Sequence, residues 1–539
     1  MLVGYVSDER FVALAGVEIE FERDGETVAT TRSTARGKVL ADLAPGPYTV
    51  TLNGAGFGPK IVEMTVDPAV PYQFRLLSDC LLGYVWPKWV RTGERSEFRV
   101  HSHKPYRLTL WRYGRHKEML KILGWFDEHG PNAVVQVTPD GDYTQTGVRW
   151  NSVGYRSAHH TQFVTGPERS GLYYLEAESE DGEEFFSFPW IVAPATPSAP
   201  IAVIASTNDW NAYNNFGGRS NYVNSTGLPA TPIVNARQEL PRYKDTFSEW
   251  AAPDEDYLPL SFERPELGNT IPRETEVTDP IRGRLTCGQA PAEWRLVGWL
   301  EEQGFAYDYY AEHHLHTGAL DLDAYRVLII SVHPEYWSRE MYLRVKTWVK
   351  ERGGRLMYLG GNGLNAEIVF LDDATIQVKT SLPSPNGTLG WYDEARGEYI
   401  DSRFHRTFES EANLTGVVTT DAGIMTSAPY KVIKDDHWVY TGTGLRAGDL
   451  FGEKSLHERV HGGASGHETD KMSASSPKET VLLAKGTNVE DGGAEMVCIE
   501  YANGGKVFSV GSITWVASLF PDEHVSRITS NVITRFLQD

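Results

Sequence analysis

The chain has 539 residues, of which 41% are hydrophobic and 23% charged, the balance of a globular protein long enough for about three or four domains. With 72 acidic against 51 basic residues its formal net charge is −21, which argues against nucleic acid or an anionic membrane as a partner, since each calls for a basic footprint. Cys80, Cys287 and Cys498 are too scattered for a disulfide framework, no apolar run reaches the ~18 residues of a membrane span, and the opening MLVGYVSDERF lacks the features of a secretory signal, so a cytoplasmic protein is expected.

Residues 1–77 read as all-β. Val17, Ile19 and Phe21 alternate with Glu18 and Glu20, the period-two signature of a half-buried strand, and turn signals recur about every ten residues. Ala15-Gly16-Val17-Glu18-Ile19, Gly37, and LAPGPYTV at 43–50 resemble carboxypeptidase regulatory-like modules, which implies an accessory β-sandwich. Residues 78–195 are again β-rich and resemble an Ig-like module. The segment 192–200 holds three prolines and predicts a stiff boundary.

Beyond it the pattern changes to strands alternating with helices, expected of a mostly parallel α/β sheet over 200–539. Short apolar runs at 201–205, 305–310, 327–332, 356–359 and 506–510 read as strands. Helices are predicted at 291–303, started by Pro291 and stopped by Gly304, at 339–352, capped by Ser338 and ended by Gly353-Gly354, and at 525–537. Between about 366 and 500 the pattern is irregular and β-like, which predicts an insertion roofing the site.

Ligands of an open parallel sheet bind beyond the carboxyl ends of its strands. That rule selects Asn208, Asp209, Trp210, Asn211, Tyr213, Asn214, Asn215 and Gly217-Gly218-Arg219 after the first strand, and His333-Pro334-Glu335-Tyr336-Trp337 after 327–332. It adds Gly361 and Asn362 after 356–359, and Glu312, His313, His314 and His316 after 305–310. Read as an extended run, His313 and His314 point to opposite faces, leaving His314 and His316 as a zinc pair without a third ligand. Gly217-Gly218 completes no nucleotide-binding fingerprint, and no G-x-S-x-G elbow follows a buried strand. With 26 Tyr in the chain, some tyrosines are candidates for chemistry as well as packing.

The blocks WNAYNNFGGRS at 210–220, HPEYWS at 333–338, Gly360-Gly361-Asn362, Thr443-Gly444-Leu445 with Gly448-Asp449, and GGASG at 462–466 with Glu468 and Asp470 resemble the large subunit of N,N-dimethylformamidase over most of 200–539. The resemblance implies a catalytic domain similar in fold to class I glutamine amidotransferases, without their cysteine. It implies one Fe(III) per chain, held by two tyrosines and a glutamate. Tyr213 matches the first tyrosine and Glu335 the glutamate. Tyr257, ahead of Ser261-Phe262-Glu263-Arg264-Pro265, is the second by spacing, with Tyr243 and Tyr222 as alternatives. His333 and Asn362 match the residues around the metal, and Glu468 the acid/base group. Phenolates and a carboxylate are hard donors suited to a ferric ion, and three protein ligands leave positions open for water and substrate.

The implied activity is hydrolysis of a small N,N-dialkyl amide to a carboxylate and an amine. The metal would polarise the carbonyl or acidify a water, Asn362 or His333 would steady the oxyanion, and Glu468, with a raised pKa, would protonate the leaving amine. Trp210, Phe216 and Trp337 would wall the pocket. A homo-oligomer and a small accessory subunit are the implied partners. Two other readings remain open from the residues: a carbohydrate- or protein-binding multidomain protein that is not an enzyme, and a zinc hydrolase using His314 and His316.

Overall fold

The computed structural model describes residues 1–9, 12–126, 163–214, 216, 231–232, 259–280, 288–379 and 390–538. The amino-terminal part is built of antiparallel-rich sheets. Leu2–Ser7 lies between Lys38–Leu40 and Tyr72–Arg75, and a four-stranded sheet runs Glu26–Arg32, Glu18–Arg23, Gly46–Gly54, Phe57–Val66. Ile19 and Phe21 are buried while Glu18 and Glu20 are not, and Val6, Val50 and Phe74 complete a core shared by the two sheets.

The next sheets are a three-stranded one (Phe163–Thr165, Arg95–His101, Leu82–Trp86) and a five-stranded one in the order Lys117–Phe126, Tyr106–Tyr113, Gly171–Ser179, Phe185–Ala193, Trp89–Arg91. Along Gly171–Ser179 the strand period decides two interfaces at once. Tyr173 and Leu175 point into the core between these two sheets, with Phe98 and Trp190. Leu172 and Tyr174 point the other way, into one core with Trp294 and Ile201 of the following α/β region. The proline-rich boundary is fastened to that region, since Ser198 donates through its backbone N–H and its hydroxyl to Asp308 at 2.7 Å.

The remainder is a mixed α/β sheet. Its elements are β1 (Ile201–Ala205), α1 (Thr207–Ala212), α2 (Ala290–Glu302), β2 (Tyr307–Ala311), α3 (Glu312–Thr317), β3 (Val327–Val332), α4 (Arg339–Arg352), β4 (Arg355–Gly360), α5 (Arg403–Thr407), β5 (Tyr430–Val432), β6 (Leu450–Phe451), β7 (Val481–Gly486), β8 (Glu495–Glu500), β9 (Lys506–Ser509) and α6 (Glu523–Gln538). The strand order is β2-β1-β3-β4-β9-β8-β7-β5-β6, parallel from β2 to β9 and antiparallel beyond. Because the chain leaves β1 for β2 on one side and then returns to β3 on the other, a crevice opens beyond the carboxyl ends of β1 and β3.

The local signals act as expected at several ends. Pro291 opens α2, the Ser338 hydroxyl accepts from Met341 N, and Gly353 closes α4 in the left-handed region at φ 75°. Three expectations need correction. The second strand starts at Tyr307, because Phe305 N donates to Leu300 O and so belongs to the exit turn of α2. The histidine run is the helix α3 rather than a strand. The stretch 366–500 is also more than a roof, since β5, β6, β7 and β8 extend the main sheet. Among the described residues no helix is long and apolar enough to cross a membrane.

Candidate metal centre

Four loops meet at the crevice. The first leaves β1 as α1. Its Trp210 indole, the Ser206 N–H and the Tyr309 hydroxyl all donate to the buried carboxylate of Glu293 on α2, which holds the short helix against the sheet. Burial pushes the Glu293 carboxyl up to about 7 against those bonds. Asp209 and Tyr213 project from this loop.

The second loop leaves β3 at Val332, whose φ of 61° is strained for a β-branched residue, and delivers His333-Pro334-Glu335. The third and fourth carry Asn362 (φ 48°) and the pair His467 (φ 66°) and Glu468. Gly361 is required where the last two loops touch, since a Cβ there would lie 2.5 Å from Glu468 O and 2.8 Å from Ile513 N. Left-handed backbone outside glycine at Val332, Asn362 and His467 marks strain gathered at one place, as at functional sites.

The side chains converge closely. The Tyr213 hydroxyl donates to Glu335 Oε2 at 2.9 Å, and Arg403 of α5 pairs with Glu335 Oε1. His333 Nε2 lies 3.4 Å from Glu335 Oε2 and 3.2 Å from Glu468 Oε2, and its Nδ1 lies 3.6 Å from Asp209 Oδ2. Asn362 Nδ2 donates to Glu468 Oε2 at 2.7 Å. Asn362 itself is fixed by Asp470 Oδ1, which accepts its N–H at 2.8 Å, and by the Asn365 amide.

Burial raises the Asp209 carboxyl well above the usual range; the His333 charge opposes this, while Glu335, Glu312 and Glu293 add to it. Burial, then Glu335 and Glu468, push the Tyr213 phenol up, so it keeps its proton in this arrangement. For His333, burial favours the neutral ring, but Asp209, Glu468 and Glu335 outweigh it and raise the imidazole. Burial likewise opposes ionisation of Glu468, yet the bond to His333 and the Asn362 amide hold it low.

Two corrections follow. Glu468 was expected to have a raised pKa; here the shared proton sits on His333. With that proton in place, the 3.2 Å contact of Asn362 Nδ2 with His333 Nε2 is a close approach and not a hydrogen bond, since both groups donate. Trp210, Phe216 and Trp337, expected to wall one pocket, are instead buried in three different cores.

Asp209, His333 and Glu335 form a buried group whose donor atoms all lie within 4.8 Å of one another, so the group can hold a metal ion. Among the described residues neither Asp209 oxygen has a hydrogen-bond partner, a costly state for a buried carboxylate that a cation would relieve. The residues present therefore fit a metal. Tyr257, Tyr243 and Tyr222 lie outside the described residues, as do Asn215 and Gly217 to Arg219.

The alternative zinc pair does not form. Residues two apart on a helix diverge, and His314 Nδ1 accepts from Ala311 N at 3.1 Å while His316 Nδ1 contacts the Ser338 hydroxyl at 2.8 Å. Sequence reasoning selected the Asp209 position but gave it no role, and it missed Arg403, whose 68-residue separation from Glu335 leaves no local signal.

Fold and site together define a protein with an acid-rich, buried centre at the switch point of an α/β sheet, able to bind a metal. The chain belongs to the family described as N,N-dimethylformamidase beta subunit-like, C-terminal, whose profile matches residues 118–527. It is 27% identical over 426 residues to an N,N-dimethylformamidase beta subunit of Alcaligenes sp, covering 70% of this chain and 54% of that one. The beta subunit of Paracoccus aminophilus is also 27% identical, over 429 residues, with the same coverage. The chain thus spans about half the length of the curated relatives it matches. Among solved structures, the Clostridium thermocellum CbhA fibronectin(III)-like modules align at 11% identity with a TM-score of 0.12, over 36% of this chain and 92% of that one, too slight a likeness to carry an argument.

Proposed function

We propose that the protein is an iron-dependent amidohydrolase that cleaves the C–N bond of a small N-substituted amide, of the N,N-dialkyl kind its relatives' names imply. The observation that carries this reading is the 2.9 Å contact between the Tyr213 hydroxyl and Glu335, 122 residues apart in sequence, inside a buried acidic crevice. Tyr213, Glu335 and Tyr257 would hold one Fe(III) per chain, with Asp209 and His333 within reach of the same cation. A phenol must lose its proton to bind a cation, and hard oxygen donors favour a ferric ion. When bound, iron supplies Lewis acidity, which activates both an amide carbonyl and a water.

The chain's own residues supply the rest. Asn362 Nδ2 and His333 Nε2 are the donors that face developing negative charge on the carbonyl oxygen. Glu468, bridged to His333, takes the proton of the attacking water and passes it to the leaving amine. Arg403 offsets the charge of Glu335 and fixes its second oxygen.

In this reading the catalytic domain is 200–539 and resembles class I glutamine amidotransferases, with β modules at 1–77 and 78–195. On the same reading the chain forms a homo-oligomer with a small accessory subunit in a cytoplasmic setting; the relatives' designation as beta subunits supports a partner chain. The test is elemental analysis of the purified chain together with its visible spectrum. Expected are about one iron per chain and a phenolate-to-iron charge-transfer band, both lost in Tyr213→Phe and Glu335→Gln. Iron retained in Glu335→Gln would end the assignment. A one-His, two-carboxylate set at Asp209, His333 and Glu335 also suits a divalent ion, and the same analysis distinguishes it: iron or another metal held without a phenolate band, and lost in Asp209→Asn.

A further inference from the structure

The loop that carries Tyr213 has little support of its own. Helix α1 is six residues long, ends at Tyr213, and leaves its last carbonyls without partners inside the helix. Asn211 O, which also accepts from Asn214 N at 3.2 Å, and the carbonyls just past the helix are met by Arg264, a fully buried arginine 51 residues beyond Tyr213. Its Nη2 donates to Asn211 O at 2.9 Å and Asn211 Oδ1 at 2.8 Å. Its Nη1 donates to Asn214 O at 2.8 Å and Phe216 O at 3.0 Å, and its Nε to Ser261 O at 2.9 Å. The guanidinium therefore grips the chain on both sides of Tyr213. Asn211 and Asn214 return the contact through their amides, to Leu260 O at 3.1 Å and Pro265 O at 2.7 Å.

The segment 260–266 is itself anchored from outside the α/β sheet. Arg99 pairs with Glu263 at 2.6 Å, and Lys88 pairs with Glu266 at 3.1 Å and donates to Arg264 O at 3.2 Å. Both cations come from the β module that precedes the linker. Both pairs are buried, where a charge is stable only against its partner, so their positions are tightly specified.

We infer that Arg264 is a positioning residue for the metal centre: it sets the place of the Tyr213 hydroxyl opposite Glu335, and the second β module holds Arg264 through Lys88 and Arg99. This rests on the proposed function for what Tyr213 does. A rigid guanidinium fork can satisfy several carbonyls at once, and an ammonium cannot reproduce that geometry. The β module is thereby a part of the site and not only an accessory.

The test compares Arg264→Lys with Arg295→Lys, a substitution at an equally buried arginine on α2 that pairs instead with Glu458. Both variants lose stability through a damaged core contact. Two readouts separate positioning from that general loss. The first is backbone hydrogen exchange by mass spectrometry of the whole chain without added metal: Arg264→Lys is expected to speed exchange across 207–216 at least tenfold, and Arg295→Lys to leave it unchanged. The second is titration with iron(III) citrate, with at least tenfold weaker binding and a weakened phenolate band expected for Arg264→Lys alone.

Unchanged exchange across 207–216 in Arg264→Lys overturns the inference whether or not the chain binds iron. Equal acceleration in both variants overturns it as well. Faster exchange there with wild-type iron affinity shows a clamp that does not serve the metal, which also refutes it. Failure of the functional reading looks different: wild-type chain takes up no iron, or Tyr213→Phe keeps it, while the exchange contrast persists.

Discussion

Removing the ammonium of Lys88 offers a quantitative check on the interface between the β module and the α/β sheet. The Lys88 and Glu266 side chains are only 4% and 3% exposed, with Nζ and Oε1 3.1 Å apart. Lys88→Met leaves a carboxylate in the interior with, among the described residues, the Asn269 amide at 2.7 Å as its remaining side-chain donor. An orphaned partner of a buried pair costs about 3–5 kcal/mol, and the donor lost from Arg264 O adds about 1 kcal/mol. Lys88→Met with Glu266→Leu removes both charges and should recover most of that, leaving a net loss of about 1–2 kcal/mol for imperfect packing.

Glu266→Gln should behave asymmetrically with pH. Burial already lowers the Lys88 pKa while Glu266 opposes that shift, so without Glu266 the folded value falls further. Unfolded chain then binds the extra proton, and stability rises with pH between the folded value and the ordinary lysine value. The measurement is urea unfolding of wild type, Lys88→Met, Glu266→Leu and the double, with Glu266→Gln beside them, at pH 7 and 9. A Lys88→Met loss under about 1 kcal/mol, or single losses that simply add in the double, would refute the reasoning.

On the proposed function, Glu468→Gln should keep metal and lose about 10²–10⁴-fold in turnover of a small N,N-dialkyl amide, checked by amine release against iron content. Gly361→Ala should cost about 1–3 kcal/mol and lower turnover, because its methyl must displace the Glu468 backbone 2.5 Å away; a fully active variant would contradict the packing. Burial holds His314 at about 3 and His457 at about 2, below the unfolded value, so each disfavours the native state once the unfolded imidazole charges. Stability should therefore fall as pH drops below about 6.5, by up to about 4 kcal/mol at pH 5 for the two together, and His457→Gln should flatten that limb in thermal unfolding.

Much of this molecule was legible in its residues. Period-two alternation named the strand Glu18–Arg23, apolar runs named β1, β3 and β4, and Ser338 and Gly353 bounded α4, because each signal acts within one turn or one pleat. The rule that loops beyond strand ends bind ligands selected Asp209, Tyr213, His333, Glu335 and Asn362 without knowledge of their contacts. The histidine run misled, since six residues ending at Gly318 carry too short a pattern to separate helix from strand.

What required the folded chain is everything that depends on distant neighbours. Strand order brought the β1 and β3 loops to one crevice, where Asp209, Glu468 and Glu335 raise the His333 imidazole against the effect of burial. Arg403 reached Glu335, and Arg264 and Lys88 braced the Tyr213 loop, through contacts that no local pattern announces. Periodicity and capping are written in adjacent residues, whereas charge state and coordination arise from groups that meet only when the strands take their order, so the first could be read along the chain and the second could not.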